Sequence, residues 1–482
     1  MKRLLSIGGV ILAAVTVSCS DYLNVESPSK FENDYVFSKE DEIFNAIAGI
    51  YAPLCMDQTY SQAMACTYTP NTDVEFKSGT TPASTAGNSF ASYESMSNSS
   101  MLNLTWNALY TAIDRANTCV RGIENSELFL EGTQTTPTNV THMYGEAKTL
   151  RAWLYLDMVR LWGDVPFTLT ESHSEENFVV GATDRNEILT YLIEDLISVE
   201  PMMKYSSDLS SGVERANREF CQGLIARMAL HRGGWTLRPD KSDPSAVGYM
   251  DRAEDWRDYY KIAEEYAWKV IDEGVHDLKM TFRDLWVEEC NWNAPSGDDI
   301  VFDLPLLKSM ASEFAYSIGI PMSSGGINEH GLATGSNLFL AGTYFISFDP
   351  QDLRRDATCA IYSYDNQLNQ VIAAPYYNTR VYCAKWCKIY MRNPMGPNTT
   401  KSTGVNNTIM RFADVLPMYA EAANENHGGP TPEAIEAVKR VRRRAFPADQ
   451  WAKKVDAYVE SRSSKEDFFD MIVQERVSYT TV

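Results

Sequence analysis

Apolar residues recur at helical spacing in four segments of this chain. Steps of three and four residues place such side chains on one face of an α-helix. The pattern therefore predicts amphipathic helices, concentrated toward the two ends of the chain. The four stripes are Ala147, Leu150, Leu154, Met158 and Leu161; Phe220, Leu224, Met228 and His231; Tyr259, Ala263, Tyr266 and Val270; and Phe412, Val415, Leu416, Tyr419 and Ala423.

The predicted helices come in pairs and are rich in alanine and tyrosine. The pairs are 104–124 with 143–162, 186–200 with 214–232, and 409–425 with 432–445. Helix hairpins of this kind bury their apolar faces by stacking on neighbouring hairpins. We therefore predict a mainly α fold, a tetratricopeptide-like helix-pair scaffold over about 38–275 and 405–476.

Two stretches have a different character, with frequent Gly, Pro, Asn and Ser and short apolar runs. They are residues 57–103 and about 275–405. Such composition predicts loops with a few short strands and helices. Long irregular connections inside a compact protein are usually functional, so we expect the ligand region here.

The N-terminus reads as a targeting signal. Lys2 and Arg3 precede an apolar run that ends before Cys19, and this run is too short to span a bilayer. A signal cut just before a Cys is typical of a bacterial lipoprotein, although Thr16 stands where such signals usually carry Leu. We predict a signal peptide at 1–18 and a single body at 19–482, anchored only by lipid on Cys19.

Composition and charge narrow the class of partner. With 44% hydrophobic and 22% charged residues, the chain has the composition of a folded globular protein. Its 43 Lys+Arg against 64 Asp+Glu give a net charge of -21. This charge opposes nucleic-acid binding, which requires a basic face, and suits neutral sugars or cationic partners better.

The cysteines do not indicate a disulfide scaffold or a metal site. The eight that follow Cys19 are scattered over a long chain. Cys383 and Cys387 form one close pair, but no His lies near and no second pair follows. This pattern favours buried or incidental thiols over a zinc site. We predict no metal and no cofactor.

Catalytic signatures are sparse. The 6 His stand in unrelated contexts, and the chain has no GxSxG, HExxH or Walker-type motif. Asp298, Asp299 and Asp303 lie close in sequence, and an acid pair, a calcium site and a solvated acidic loop are all compatible with them; we favour the last. Two carboxylates need only meet in space to hydrolyse a glycoside, so the sequence leaves that reaction open. We predict a binding protein with no catalytic residues.

Aromatic side chains in the irregular stretches suit carbohydrate binding, because sugar rings stack on aromatic rings and polar neighbours bond their hydroxyls. Core packing is the alternative for each of them. They are Phe76, Phe90 and Tyr93 in the first stretch, and Trp286, Trp292, Tyr316, Tyr344, Tyr376, Tyr377 and Trp386 in the second.

Four blocks of sequence resemble the SusD/RagB family. CSDYLNVESPSKF after the predicted signal resembles the family's opening segment, and AKTLRAWLYLDMVRLWGDVPF resembles its signature helix. IMRFADVLPMYAEAANE and AIEAVKRVRRRAF resemble the family's late helix pair. Arg151 and Arg411, within these blocks, are expected to be structural and to pair with buried acids or helix ends.

The resemblance implies a surface lipoprotein that captures glycans for a SusC-like TonB-dependent outer-membrane transporter. Peptide or protein uptake of the RagB type and a surface adhesin are the alternatives. TPNTDVEFKSG resembles the family's early ligand loop, which implies Asp73 and Phe76 as ligand residues. The full expected ligand set is Asp73, Phe76, Tyr93, Trp286, Trp292 and Tyr316.

The C-terminus departs from the family pattern. The family continues past the Glu-Arg of its last conserved helix into an aromatic segment, whereas here IVQER is followed by VSYTTV. The sequence is therefore expected to be truncated at its C-terminus.

Overall fold

The computed structural model describes most of the chain outside the N-terminal segment. The described residues are 33–68, 72–77, 97–131, 136–172, 180–240, 242–243, 246–308, 312–323, 329–331, 334–372, 381–396 and 402–480. The expected signal peptide, Cys19, Phe90 and Tyr93 lie outside these ranges, as do Tyr376 and Tyr377.

Helices dominate the described residues, and the longest of them lie in the regions where the hydrophobic pattern predicts them. None of these helices is both long and apolar enough to cross a bilayer. In chain order they are α1 Asn33–Val36, α2 Glu40–Tyr51, α3 Ser100–Glu124, α4 Glu127–Glu131, α5 Asn139–Trp162, α6 Arg185–Val199, α7 Arg218–Gly233, α8 Trp256–Asp272, α9 Phe282–Glu289, α10 Gly342–Ser347, α11 Leu353–Thr358, α12 Phe412–His427, α13 Pro432–Ala445, α14 Ala457–Glu460 and α15 Lys465–Thr480.

The helices pack as the predicted pairs. α3 packs against α5, α6 against α7, and α12 against α13. α8 lies between the first and last groups, because it packs on both α7 and α12. The two ends of the chain therefore form one continuous stack of helices, which confirms the predicted helix-pair scaffold.

The described strands are short and form two-stranded antiparallel ladders: β1 with β7, β2 with β3, β4 with β5, β6 with β12, β8 with β11, and β9 with β10. Helix exceeds strand severalfold in these ranges, so the mainly α prediction is confirmed. The strands are β1 Glu75–Lys77, β2 Val165–Pro166, β3 Ala182–Thr183, β4 Thr236–Arg238, β5 Tyr249–Asp251, β6 Ile300–Leu304, β7 Leu338–Leu340, β8 Cys359–Ala360, β9 Tyr362–Tyr364, β10 Gln370–Ile372, β11 Tyr382–Cys383 and β12 Asn407–Arg411.

β6 inserts the central irregular region into the helical core. All five of its residues are buried, and Phe302 stacks on Phe220 of α7 with ring centroids 4.2 Å apart. Trp153 of α5 meets Phe302 edge to face at 5.7 Å. This strand therefore fixes the position of the irregular region relative to α5 and α7.

α5 is buried on nearly every side and is fixed at both ends. Thr138 and Thr141 form a reciprocal capping box at its start. It ends at Gly163, whose φ of 76 lies in a region that favours glycine. Inside the helix, Arg151 donates to Asn117 at 2.9 Å and to Asp195 at 2.8 Å, so the structural interpretation of this arginine is confirmed.

Candidate ligand-binding surface

The two irregular regions meet in a short β-ladder. β1 belongs to the first region and β7 to the second, with Phe76 directly opposite Phe339. A second contact joins them where the main-chain N–H of Glu313 donates to the carbonyl of Ser61 at 3.1 Å. Residues distant in sequence are thereby brought to one part of the surface.

Phe76 and Asp73 are the accessible members of this junction. Phe76 is 36% exposed, whereas its neighbour Glu75 is 6% exposed. Successive side chains of a strand point to opposite faces, so Phe76 points outward and Glu75 inward. Asp73 is also exposed. Both residues are placed where a ligand in solution can reach them.

The position of Phe76 is set by contacts that the sequence did not indicate. Its ring lies 5.6 Å from that of Phe339, which in turn lies 5.9 Å from the ring of Tyr382. Phe339 is buried and Tyr382 is half-buried. The apolar run at 338–340 signals a buried strand but not its partner, because pairing with β1 depends on the tertiary fold.

The turn before β1 is held by Thr72, whose main-chain N–H donates to the carbonyl of Glu75 at 2.9 Å. Thr72 Oγ1 accepts the main-chain N–H groups of Val74 at 3.2 Å and Glu75 at 3.1 Å. Such turns satisfy main-chain donors locally and fix the path of the chain. The turn therefore presents Asp73 in a defined position three residues before Phe76.

Trp292 is half-buried and has a constrained backbone, with a φ of 57. Its indole N–H donates to the carbonyl of Thr403 at 3.1 Å, and Lys308 Nζ lies 3.6 Å from the ring centroid. One face of the ring is therefore already covered by a cation.

Tyr316 is also half-buried, and Lys388 Nζ lies 5.4 Å from its ring centroid. Lys388 itself is fully enclosed, and burial lowers the pKa of its ammonium to about 8. Tyr316 thus lies beside a cation that loses charge more readily than a surface lysine.

Trp286 does not belong to an open surface, which corrects its expected placement in an exposed irregular stretch. It lies within α9 and is 3% exposed, with its ring 5.0 Å from that of Trp386. The composition of residues 275–405 predicted loops with a few short strands and helices. α9 is one of these short helices, and its apolar face packs into the core. Trp286 instead lines an interior cavity.

The acidic run is buried, which corrects the expected solvated loop. Asp298, Asp299 and Asp303 are 5%, 0% and 0% exposed. Asp298 accepts the main-chain N–H groups of Lys279 at 2.8 Å and Met280 at 3.0 Å. Each of the three carboxylates has a separate environment, so they do not form one site.

Asp299 is an ion-pair centre. Its Oδ2 lies 3.1 Å from Arg411 Nη1 and 2.8 Å from Arg444 Nη1, and its Oδ1 accepts the N–H of Ala413 at 2.9 Å. Although burial opposes ionisation, these two arginines and the hydrogen bonds hold the pKa of Asp299 below its usual value. The structural interpretation of Arg411 is thus confirmed.

Asp303 lies beside Glu289, and both side chains are enclosed, at 0% and 1% exposed. Burial and the proximity of Asp303 raise the pKa of Glu289 well above its usual value. Two buried carboxyl groups in contact share a proton. Because the pair lies in the core, it is not arranged to flank a glycosidic bond from solvent.

The cysteines in the described ranges are free thiols. Cys383 lies opposite Cys359 in the register of the β8–β11 ladder, with both thiols free, while Cys387 packs in a separate apolar cluster. Burial raises the pKa of Cys387 to about 12 and that of Cys383 to about 11. Within those ranges no group of three or more His, Cys, Asp or Glu is arranged to hold a metal ion.

Two family models match separate parts of this chain. One, described as "Starch-binding associating with outer membrane", matches residues 21–230. The other, described as "SusD family", matches residues 345–477. A SusD-like protein of Formosa agariphila is 24% identical over 465 residues, which cover 91% of this chain and 81% of that protein.

Solved structures share the fold. A SusD homologue from Bacteroides thetaiotaomicron has a TM-score of 0.79 at 19% identity, covering 94% of this chain and 86% of its own. Surface glycan-binding protein A from the same species, solved in complex with laminarihexaose, has a TM-score of 0.66 at 15% identity, covering 92% and 87%.

Fold and matches together define the class, a helical-repeat scaffold that carries an inserted irregular region. Matches at both ends of the chain agree with the relatives that span most of it. The chain belongs to the SusD/RagB family.

Proposed function

We propose that this protein binds glycans at the cell surface without cleaving them. Support comes from the family description, which names starch binding and association with the outer membrane, and from the similar fold of a surface protein solved with laminarihexaose. The observation that carries the proposal is the exposed Phe76, placed with Asp73 at the junction of the two irregular regions.

The proposed binding surface has Phe76 as its stacking ring and Asp73 as its hydrogen-bonding carboxylate. Trp292 and Tyr316 are proposed as flanking contacts, and Trp286 is left out because it is buried. One exposed ring contributes about 0.5–1.5 kcal/mol beyond area burial. Binding at this surface is therefore weak for a single sugar and increases along a polymer through multivalency.

The proposal includes delivery to a SusC-like TonB-dependent transporter and anchoring by lipid on Cys19. The N-terminal pattern of Lys2, Arg3 and an apolar run before Cys19 supports the anchor. A transporter gene directly upstream, and co-purification of its product with this protein, would support the partner. Neighbouring polysaccharide-degrading enzymes would indicate the class of glycan.

The experiment is calorimetric titration of the purified protein with starch-derived, β-glucan and host-glycan oligosaccharides of increasing length. We expect affinity to rise with length for one glycan class. Phe76→Ala should weaken that binding by about two- to tenfold, the loss of one stacked ring. Phe469→Ala on α15, where the ring is 42% exposed, is the matched control and should retain wild-type affinity.

Two outcomes would contradict the proposal. Release of reducing ends from the bound glycan by the purified protein would establish an enzyme. Wild-type affinity in both Phe76→Ala and Asp73→Asn, in samples that unfold cooperatively, would exclude this surface as the binding site.

A further inference from the structure

A cavity of about 440 Å³ lies where the helical scaffold meets the central irregular region. Its walls come from α5, α7, α9, α12, α15 and the junction of β12 with α12. Its volume falls within the range of small-molecule sites, about 300–1,000 Å³. Glu75 of β1 lines it, whereas Phe76, which points to the opposite face of that strand, does not.

Two buried tryptophans with unused donors line the cavity. Trp286 and Trp386 are each 3% exposed, and their rings meet at 68°. Among the described residues, neither indole N–H has a hydrogen-bond partner. A buried donor left unpaired costs about 1–3 kcal/mol, so both groups are available to a ligand atom or to water inside the cavity.

Tyr60 and Trp153 form an aromatic part of the wall. Their ring centroids are 4.5 Å apart, and Tyr60 donates to Asp157 Oδ2 at 2.6 Å. Both rings are buried, at 4% and 2% exposed. The cavity thus combines flat apolar surfaces with hydrogen-bond donors, the composition that suits a sugar ring.

The cavity is cationic although the chain is strongly acidic. Five basic side chains line it against three carboxylates, in a chain of net charge -21. The basic ones are Arg160, Arg227, Lys385, Arg411 and Arg476, and the acidic ones are Glu75, Asp157 and Asp414. Burial and four nearby arginines lower the pKa of His231 to about 3, so this lining histidine is neutral.

Arg227 stands out among these cations. Arg160, Arg411 and Arg476 each pair with a carboxylate, at 2.8, 3.1 and 2.9 Å. Across the described part of the chain Arg227 forms no ion pair, and its Nη1 donates to the carbonyl of Ile409 at 3.1 Å. Asp414 and Asp157 act on it from beyond ion-pair distance, and burial lowers its pKa. A half-buried guanidinium with no direct ion pair offers its donors to an external carboxylate.

The entrance is defined by exposure. Arg160 and Arg476 have side chains 48% and 38% exposed, whereas Trp286, Trp386 and Lys385 are enclosed. An anion approaching from solvent therefore meets Arg160 and Arg476 first and the tryptophans last. Positive charge at an opening attracts anionic ligands and raises their local concentration.

We propose that this cavity binds a carboxylate-bearing sugar, a uronic acid unit of a glycan. Arg227 pairs with the carboxylate, the indole N–H groups of Trp286 and Trp386 donate to sugar oxygens, and the aromatic wall covers the ring. The proposal rests on the glycan-binding function above and narrows the class of glycan to an acidic one. A cavity of about 440 Å³ is the size of a small-molecule site, so it takes a chain end or a short oligosaccharide.

The test is calorimetric titration of the purified full chain with galacturonate, glucuronate and digalacturonate. Galactose, glucose and acetate serve as matched ligands that lack either the carboxylate or the ring. We expect the uronates to bind more tightly than all three. Added salt should weaken their binding and leave that of the neutral sugars unchanged.

Arg227→Gln should weaken uronate binding by about 10- to 100-fold, the range for hydrogen bonds to charged groups. Trp386→Phe keeps a ring and removes one donor, so a smaller loss is expected. Arg115→Gln is the matched control for arginine, because Arg115 also donates to a main-chain carbonyl, that of Gly49 at 2.6 Å. Trp235→Phe, at an exposed position outside the cavity, controls for tryptophan.

Equal binding of uronates and their neutral parents by folded protein would overturn the proposal. Unchanged uronate affinity in both Arg227→Gln and Trp386→Phe would also overturn it. Acetate binding as tightly as a uronate would assign the cavity to carboxylates in general rather than to sugars, and so would overturn the sugar assignment. Retained binding of neutral oligosaccharides, sensitive to Phe76→Ala, would leave the surface proposal standing while this one fails.

Discussion

Arg444 Nη1 lies 2.8 Å from Asp299 Oδ2, in an ion pair that joins residues 145 positions apart in the chain. Asp299 is 0% exposed and Arg411 contacts the same oxygen at 3.1 Å. The pair connects the residue before β6 with α13, while Arg411 and the N–H of Ala413 connect it with the start of α12. One carboxylate thus holds together three segments of the scaffold.

Asp299→Asn should destabilise the protein strongly, because it takes away the buried carboxylate that Arg444 and Arg411 share and leaves Arg411 with Asp414 at 3.8 Å. Breaking a buried ion pair from one side costs about 3–5 kcal/mol. Urea unfolding followed by circular dichroism measures the change in the free energy of unfolding. Asp356→Asn, where the side chain is 70% exposed, is the control and should cost less than about 1 kcal/mol. Similar losses in both variants would contradict this role for Asp299.

The buried pair Glu289 and Asp303 should make stability depend on pH. Burial raises the pKa of Asp303 to about 6 from its ordinary 3.8. Between pH 3.8 and about pH 6 the folded protein keeps a proton on Asp303 that the unfolded chain releases. The free energy of unfolding therefore falls as pH rises from 3.8 to about 6. The expected fall is about 3 kcal/mol, the pKa difference converted at 1.36 kcal/mol per unit.

Asp303→Asn should remove the part of this dependence that belongs to Asp303, since an amide does not titrate and can donate to Glu289. The part that comes from buried Glu289 remains. The stability of Asp303→Asn relative to wild type should therefore rise from pH 4 to pH 7. Denaturant midpoints measured at several pH values check the trend. A difference between the two proteins that stays constant across the window would show that Asp303 does not titrate there.

Lys385 should also change stability with pH, with the opposite sign. Burial, with a contribution from Arg411, lowers the pKa of Lys385 to about 8 from 10.5. Below pH 8 the Lys385 ammonium is charged in both the folded and the unfolded protein, and burying that charge destabilises the folded state. From pH 8 to 10.5 Lys385 is neutral in the folded protein and still charged in the unfolded chain. The free energy of unfolding attributable to Lys385 therefore rises over that window.

Lys385→Met should be more stable than wild type at pH 7, by up to about 3 kcal/mol, because no charge is buried. The advantage should shrink toward pH 10.5. Urea unfolding at pH 7 and pH 10 measures both values. A methionine variant that is less stable than wild type at pH 7 would show that the polar contacts of Lys385 outweigh its desolvation.

Cys19→Ser should release the protein from membranes while leaving its helical content unchanged. The expected lipid forms on the thiol of Cys19, and stable anchoring requires more than one acyl chain. Metabolic labelling with palmitate, followed by membrane fractionation, measures the effect. Label retained by Cys19→Ser would contradict the anchor, and Cys55→Ser is a matched control that should keep both label and membrane association.

The spacing of apolar residues predicted the helical scaffold because helix formation depends on residues that are close in sequence. The stripe from Ala147 to Leu161 lies in α5, and the stripe from Phe412 to Ala423 lies in α12. Arg151 lies inside α5 and Arg411 at the end of β12 just before α12, both among apolar residues, where an unpaired charge would be costly, so their pairing with acids followed from the same pattern.

The burial of the acidic run could not be predicted from residues near it in sequence. Asp298, Asp299 and Asp303 have the spacing of a solvated loop, and nothing near them in sequence indicates burial. Their partners lie far along the chain, at Arg411 and Arg444 for Asp299, and only folding brings them together. The sequence shows which residues are charged, whereas the tertiary fold decides which oppositely charged residue each of them meets.

For the aromatic residues too, the sequence shows their identity and the tertiary fold decides their exposure. The sequence determined which residues have flat rings suited to sugars, since that is a property of the side chain itself. Only the tertiary structure decided that Phe76 faces solvent on β1, that Trp286 turns inward on α9, and that Arg227 meets both tryptophans in one cavity. Helices form from contacts within a few residues, whereas exposure and convergence depend on segments separated by tens to hundreds of residues.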